Sequence, residues 1–337
     1  VVLVVGDGMG PAHREAARLA LAGTDGELAM GSLPVAGLQT TIPADPSSTV
    51  TDSAAAATAW ATGEKTANGS LAVGPDGERL TPLGREAAEA GLATGLVTTS
   101  AVTDATPAAF FSSVADREDQ DDVAEQYLTA AGPSVVLGGG AGVWDDGLLD
   151  RARADGATAV TDADRLASAE GDRLLGLFAE GPLHAAPDPE VSLAELTRVA
   201  LDRLSADPDG FFLVVEEEQV DEAGHANDDD ALLTAMASLD EAVEVAREHA
   251  EDHPGTLLVV TGDHETGGLA VEDADPGADD AIPVAGDDDR AVDLDWSTES
   301  HTAAPTPVTA TGPGSEQLSG TYPNTHLHEV MREVLLG

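Results

Sequence analysis

The stretch "VVLVVGDGMGPAHREAARLAL", residues 1–21, decides how the chain is read. Its five leading apolar residues suit a strand covered on both faces, and they are too few for a buried helix. The turn Gly6-Asp7-Gly8-Met9-Gly10 follows, and Pro11 suits the first position of a helix running to Leu21. The same grammar recurs downstream. "LATGLVTT" (92–99) follows the helix-like "PLGREAAEAG" (82–91), and "SVVLGGG" (134–140), "FFLVVE" (211–216) and "GTLLVVTGDHE" (255–265) are further apolar runs. Between the last two, residues 228–251 place Leu232, Leu233, Met236, Leu239, Val243 and Val245 at helical spacing. Strands alternating with helices imply an α/β fold, a three-layer sandwich in which a central, mostly parallel β-sheet carries helices on both faces. No break in composition marks a boundary, so a single domain over 1–337 is expected. The Asp-, Gly- and Pro-rich stretch around 272–295 is expected to be a solvated acidic excursion at its surface.

The charge balance narrows the function. There are 63 acidic against 15 basic residues, a formal net charge of −48, and Lys65 is the sole lysine beside fourteen arginines. No basic surface is available to neutralise phosphates, which excludes a nucleic-acid-binding surface and argues against an anionic membrane as partner. With 42% hydrophobic residues interleaved among the acids, the chain has material for a core and is not a disordered acidic tail. Such charge repels itself at ordinary ionic strength, whereas at 1 M salt the Debye length falls to about 3 Å. The composition is therefore that of a salt-adapted protein. Calcium-loop spacing of the D-x-D-x-D-G type has no full match. Cysteine is absent, and no apolar run reaches the roughly 20 residues that span a membrane. Because the chain starts at Val1 and enters a strand directly, an upstream segment, removed or left out, is expected, and an export signal would fit it.

In open parallel sheets, ligands bind outside the carboxyl ends of the strands. Three apolar runs deliver hard ligands there: Asp7 after the first, Glu216 with Asp221 and His225 after "FFLVVE", and Asp263 with His264 after "LLVVT". His301 follows in "STESHT" (297–302). Carboxylates combined with imidazoles suit zinc or a similar divalent ion, and this set can serve more than one. His13, His184, His249, His253, His326 and His328 read as ordinary surface residues. Ser53, in "TDSAAAATAWATG" (51–63), reads as a nucleophile at the start of a small-residue helix. There it would cap the helix at its positive dipole end, with Asp52 beside it to orient a cation. A bare serine hydroxyl is a poor nucleophile, and metal coordination can activate it. In "TSAVTDATPAAFFSSVADRED" (99–119), Asp104 and Thr106 precede Arg117, whose planar fork suits phosphate oxygens. On spacing alone, a phosphate clamp and a surface residue pairing with Asp116 or Glu118 are equally good readings of Arg117.

Taken together and in order, these segments resemble the alkaline phosphatase family. "GDGMG" (6–10) is similar to its first metal-binding strand end and "TDSAAAATAWATG" to its nucleophile segment. "TDATPAAF" (103–110) matches its magnesium-site segment and "VEEEQVDEAGH" (215–225) its E-x4-D-x3-H segment. "TGDHETGG" (261–268) and "SHT" (300–302) complete the series. The resemblance implies one catalytic domain with two zinc ions and one magnesium ion, manganese being possible in place of either. One zinc would be held by Asp221, His225 and His301, and the second by Asp7, Asp263 and His264, with Ser53 against it. Magnesium would be held by Asp7, Thr106 and Glu216, with Asp104 acting through water. Arg117, oriented by Asp52, would bind phosphate together with Ser53. The implied reaction is hydrolysis of phosphate monoesters at alkaline pH through a phosphoserine, releasing inorganic phosphate that also inhibits. The resemblance further implies a homodimer and a secreted, periplasmic or cell-envelope location.

The chain departs from the family pattern at Glu222, where relatives often carry a basic or aromatic residue, and at the extra carboxylates Glu217 and Glu218. Two rival readings are a phosphodiesterase of the same superfamily and a non-catalytic, acidic divalent-cation-binding protein. The diesterase is disfavoured by Arg117 and by the Asp104, Thr106 and Glu216 set, and the ordered motifs disfavour the binding protein. The physiological substrate is not encoded in motifs whose contacts are all to phosphate. The net charge makes its own prediction. Dilution into low salt is expected to unfold the chain or dissociate its subunits, and circular dichroism unchanged down to millimolar salt would contradict this.

Overall fold

The computed structural model describes residues 1–186, 189–275, 281–287 and 289–337. Fifteen strands run in chain order. They are β1 (Val2–Gly6), β2 (Val35–Thr40), β3 (Ala93–Ala101), β4 (Val135–Gly139), β5 (Ala157–Val160), β6 (Arg173–Leu177), β7 (Phe211–Glu217) and β8 (Leu258–Thr261). Then follow β9 (Glu265–Thr266), β10 (Leu269–Asp273), β11 (Ile282–Pro283), β12 (Ala291–Trp296), β13 (His301–Thr302), β14 (Thr306–Thr311) and β15 (Gly320–Pro323). Ten of them form one sheet in the order β15-β2-β14-β8-β1-β7-β3-β4-β6-β5. All neighbours are parallel except β14, which runs antiparallel to both β2 and β8.

Side-chain alternation explains the layers. In β1, Val2 and Val4 join one core cluster, while Leu3 and Val5 join the other. In β7, Leu213 and Val215 face the first cluster, and Phe212 and Val214 the second. A strand whose successive residues are buried on opposite faces requires helices on both sides. The Leu193–Leu204 and Asp229–Asp252 helices cover the first face. Those at Ser53–Thr62, Leu83–Glu89, Gln120–Tyr127 and Thr325–Leu336 cover the second. The sheet is thus the expected α/β sandwich, mixed in direction through one strand.

The long amphipathic helix forms as its periodicity predicts, with Asp228 as N-cap accepting from the Ala231 N–H at 3.0 Å. The first helix is α-helical only over Pro11–Ala17 and widens to a π-turn at Arg18–Ala22. The Arg18 guanidinium there bonds the Gly23 and Thr24 carbonyls. Strands β2, β14 and β15 escaped the sequence reading because none is a continuous apolar run. β14 carries Pro307, and β2 alternates exposed and half-buried residues around a fully buried Gln39. The acidic stretch around 272–295 contains the small antiparallel sheet β10-β12-β11 instead of being loop throughout, and its residues 276–280 and 288 lie outside the described set.

The Ser53–Thr62 helix is buried along Ser53–Ala61. Its alanines let it lie against the short Ala105–Ala109 helix and the C-terminal helix. Trp60 Nε1 donates to Gln39 Oε1 at 2.9 Å, and Gln39 Nε2 donates to Thr261 Oγ1 and the Gly262 carbonyl at 2.7 and 2.9 Å. This buried chain of bonds ties the helix bearing Ser53 to the end of β8. Because Ala57 is fully buried, Ala57→Leu is expected to overpack the helix and cost about 1–3 kcal/mol or more. The check is urea unfolding, where an unchanged midpoint would contradict this packing.

Candidate active site

Parallel strands that end together bring distant residues together. At the end of β1 the Asp7 N–H donates to the Glu217 carbonyl at 3.0 Å, prolonging the pairing with β7 by one residue. β8 leads through Gly262 to Asp263 and His264. A Cβ on Gly262 would stand 2.2 Å from the Met9 carbonyl oxygen, so only glycine lets the two strand ends pass. The Gly8 and His264 N–H groups both donate to Asp263 Oδ1 at 2.9 Å. Asp263 Oδ2 and Asp7 Oδ1 stay buried without a hydrogen bond, 3.2 and 3.4 Å from His264 Nε2. Burial first, then Asp263, Asp221 and Glu216, push the Asp7 carboxyl well above its ordinary range. Such orphaned carboxylate oxygens call for a cation.

A second group forms beside the first. Asp221 and His225 share one face of the Gln219–Ala226 helix at i, i+4, and His301 arrives on β13, which pairs with β9. His225 Nδ1 lies 2.7 Å from the Glu299 carbonyl, and His301 Nδ1 lies 3.0 Å from that of Thr51. A carbonyl only accepts, so each ring donates from Nδ1 and turns Nε2 inward. The two Nε2 atoms stand 3.1 Å apart, 3.2 and 3.5 Å from Asp221 oxygens. Facing nitrogens so close repel unless a cation or a proton lies between them. The hydrogen bond to Asp221 is the main reason His225 is pushed up to about 9. Burial works against a charged Asp221, yet bonds from His225 and His301 outweigh it and hold that carboxyl well below its usual range. In each of the two groups, Asp7–Asp263–His264 and Asp221–His225–His301, the ligand atoms all lie within 4.8 Å of one another. The carboxylate and imidazole donors fit zinc or a similar divalent ion.

Glu216 is buried at the end of β7, accepts from Thr98 Oγ1 at 2.5 Å, and has the buried Thr106 hydroxyl beside it. Burial raises its carboxyl, and Asp104 and Glu218 add to the effect. Asp104 caps the Ala105–Ala109 helix, accepts from Ser100 Oγ at 2.7 Å and turns Oδ1 to Arg117, 3.0 Å from Nη2. Asp52 lies on the other side of that guanidinium, 3.6 Å from Nη1. Arg117 thus pairs with Asp104 and Asp52, residues remote in sequence, and not with Asp116 or Glu118. These carboxylates outweigh its burial and strengthen its hold on its proton. Ser53 Oγ lies 3.3 Å from His264 Nε2. Asp52, not Ser53, is the N-cap of the helix, accepting from Ala55 N–H at 2.9 Å, which leaves Ser53 on the first turn with its hydroxyl free for the site.

Other side chains become visible only in the fold. Gly69 N–H donates to Asp52 Oδ2 at 2.8 Å, and the Gly69 carbonyl accepts from Arg117 N–H at 2.8 Å, so one loop holds both. Trp296 Nε1 donates to Asp229 at 2.7 Å. With its amide nitrogen facing the carbonyls around it, Asn227 donates to Gly224 and Thr298, both at 2.9 Å. These bonds fasten the segment before His301 to the C-cap of the His225 helix and to the start of the Asp229–Asp252 helix.

The surface reading fails for His13 and His328, which are buried, and for His184, which pairs with Glu218. His13 packs edge-on to Trp296. Glu217 is fully satisfied by Thr99 Oγ1, Ser238 Oγ and Gln219 N–H at 2.7, 2.6 and 3.2 Å. Glu222 is exposed. Glu217 and Glu222 are thus directed away from the site, while Glu218, paired with His184, still raises the Glu216 carboxyl.

Residues 1–282 match the family described as alkaline phosphatase. The streptomycin-6-phosphate phosphatase of Streptomyces griseus is 37% identical over 97% of this chain and 88% of its own length. A cold-active alkaline phosphatase from a psychrophilic Shewanella superposes with a TM-score of 0.89 at 32% identity, covering 100% of this chain and 99% of its own. A variant of the TAB5 alkaline phosphatase with magnesium bound in its M3 site gives a TM-score of 0.88 at 28% identity, covering 99% and 96%. Strand ends that gather carboxylates, imidazoles, a serine and an arginine, together with these likenesses, lead to one assignment: the chain belongs to the alkaline phosphatase family.

Proposed function

We propose that the chain hydrolyses phosphate monoesters by two successive displacements at Ser53. The observation that carries this is the position of Ser53 Oγ, 3.3 Å from His264 Nε2 on the first turn of a buried helix, next to an arginine braced by two carboxylates. Asp221, His225 and His301 would hold one zinc, and Asp7, Asp263 and His264 the other. Asp7, Thr106 and Glu216 would hold magnesium, with Asp104 acting through water, and manganese could replace either metal. When bound, these ions supply Lewis-acid stabilisation of the attacking and leaving oxygens and lower the pKa of the hydroxyl. Arg117 grips two phosphate oxygens through its fork, and Asp52 and Asp104 keep that fork in plane. Ser53 Oγ gives up its proton to solvent and forms a bond to phosphorus as the bond to the ester oxygen breaks on the opposite side, the departing alkoxide taking up a proton from solvent. Water then attacks phosphorus from the side the ester oxygen left, losing a proton to solvent as the P–Oγ bond breaks and Ser53 Oγ takes a proton up again, and inorganic phosphate is released. The two inversions give net retention, and the grip of Arg117 on phosphate makes the product a competitive inhibitor.

Residues 1–337 are taken as one catalytic unit, salt-adapted, dimeric and exported, a reading supported by the family and by the charge of −48. Among the described residues no helix is long and apolar enough to cross a membrane.

Hydrolysis of p-nitrophenyl phosphate at alkaline pH in molar salt is expected to vanish with chelator and return with zinc and magnesium. Ser53→Ala should lower kcat by at least about 10³-fold. Arg117→Ala should lower kcat/KM by about 10²-fold and weaken phosphate inhibition. Folded, metal-loaded protein that cleaves only the bis-ester would transfer the assignment to a phosphodiesterase.

Zinc must displace the proton that burial favours on Asp7 and the one that Asp221 holds on His225. Apparent zinc affinity should therefore rise with pH between about 6 and about 9. Competition against a chromophoric chelator measures this, and a flat profile would speak against these ligands.

A further inference from the structure

His225 and His301 have Nδ1 committed to backbone carbonyls, but His264 is held differently. Its Nδ1 lies 3.2 Å from Thr266 Oγ1, and the same hydroxyl bonds Asp221 Oδ1. A hydroxyl has one proton to give. Asp221 is a carboxylate and only accepts, so that proton goes to Asp221 and the Thr266 oxygen is left as acceptor toward the ring. His264 then carries its proton on Nδ1 and turns a bare Nε2 toward Ser53, Asp7 and Asp263. Direct contact cannot replace this link, because His264 Nδ1 and Asp221 Oδ1 are 3.8 Å apart. The hydroxyl has little freedom to move. Thr266 is fully buried, its N–H donates to the Gly8 carbonyl at 3.1 Å, and it sits opposite His301 across β9 and β13. Gly8 has φ +74°, and a Cβ there would lie 2.9 Å from Thr266 Oγ1 and 2.8 Å from Asp221 Cα, so the site admits no bulk on that side.

We propose that Thr266 is a positioning residue that selects the tautomer of His264 and couples the two ligand groups through a single hydroxyl. Asp221 belongs to one group and His264 to the other, so ordering either ligand orders the hydroxyl and, through it, the second. The inference rests on reading both groups as metal sites.

Thr266→Val keeps the side-chain shape and removes the hydroxyl, whereas Thr266→Ser keeps the hydroxyl. In the full-length protein, zinc affinity is measured by chelator competition, and the proton position on His264 by long-range ¹H–¹⁵N correlation. Wild type and Thr266→Ser are expected to carry the proton on Nδ1 and bind alike. Thr266→Val is expected to lose about 10–100-fold in zinc affinity at the His264 group, to weaken the Asp221 group as well, and to show His264 in mixed tautomers. Zinc-free circular dichroism checks folding, and Thr266→Ala serves as the second hydroxyl-free variant. Wild-type affinity and a fixed Nδ1 proton in either hydroxyl-free variant would overturn the proposal. Asp263→Ala and Asp221→Ala separate the two levels: if neither lowers zinc stoichiometry, it is the metal-site reading that fails.

Discussion

Carboxylates that must share a dry space need positive charge, and the rest of the site follows from that need. Asp7, Glu216, Asp221 and Asp263 converge at the carboxyl ends of β1, β7 and β8, all buried, and Asp7 and Glu216 are pushed toward protonation by burial and by neighbouring carboxylates. The chain is poor in cations, and Arg117 is engaged by Asp104 and Asp52 at the edge of the group. Divalent ions are the compensation such a site accepts, because carboxylate and imidazole oxygens and nitrogens are already turned inward. The same arrangement is then ready to stabilise a phosphoryl group in transfer, whose charge spreads over oxygens facing those cations.

What keeps the arrangement rigid is a set of neutral contacts around it. Backbone carbonyls of Thr51 and Glu299 fix two imidazoles, and Asn227 and Trp296 tie the segment before His301 to the C-cap of the His225 helix and to the start of the Asp229–Asp252 helix. The alanine-rich helix allows Ser53 to approach the sheet closely, and Gln39 anchors that helix to the end of β8 through Trp60. Their bonds set the distances between Ser53 and the carboxylates and imidazoles around it.

The surplus of negative charge near the site is handled locally. Glu217 is directed into its own three donors, Glu218 meets His184, and Glu222 faces solvent. Glu216 and Glu217 turn to opposite sides of β7, as successive strand residues do, so Glu216 meets Thr98 while Glu217 meets Thr99 and Ser238.

Local patterns in the chain reveal the central parallel strands, the long amphipathic helix and the carboxylates and imidazoles at the strand ends: a continuous apolar run, a helical period, a hard donor just past a strand. β2, β14 and β15 were not legible, since edge and antiparallel strands lack an all-apolar run and Gln39 or Pro307 disguises them. Spacing left Arg117 open between a phosphate clamp and a surface pair with Asp116 or Glu118; Asp52 beside it was implied by the resemblance, and the fold adds Asp104. The capping role passed from Ser53 to Asp52 for a reason that depends on where the helix begins. His184 looked like any surface histidine until the chain brought Glu218 against it, and Thr266 until β9 set it between Asp221 and His264. Residue type and short-range spacing are written in the chain, but hydrogen-bond partners across tens or hundreds of residues exist only once parallel strands end side by side.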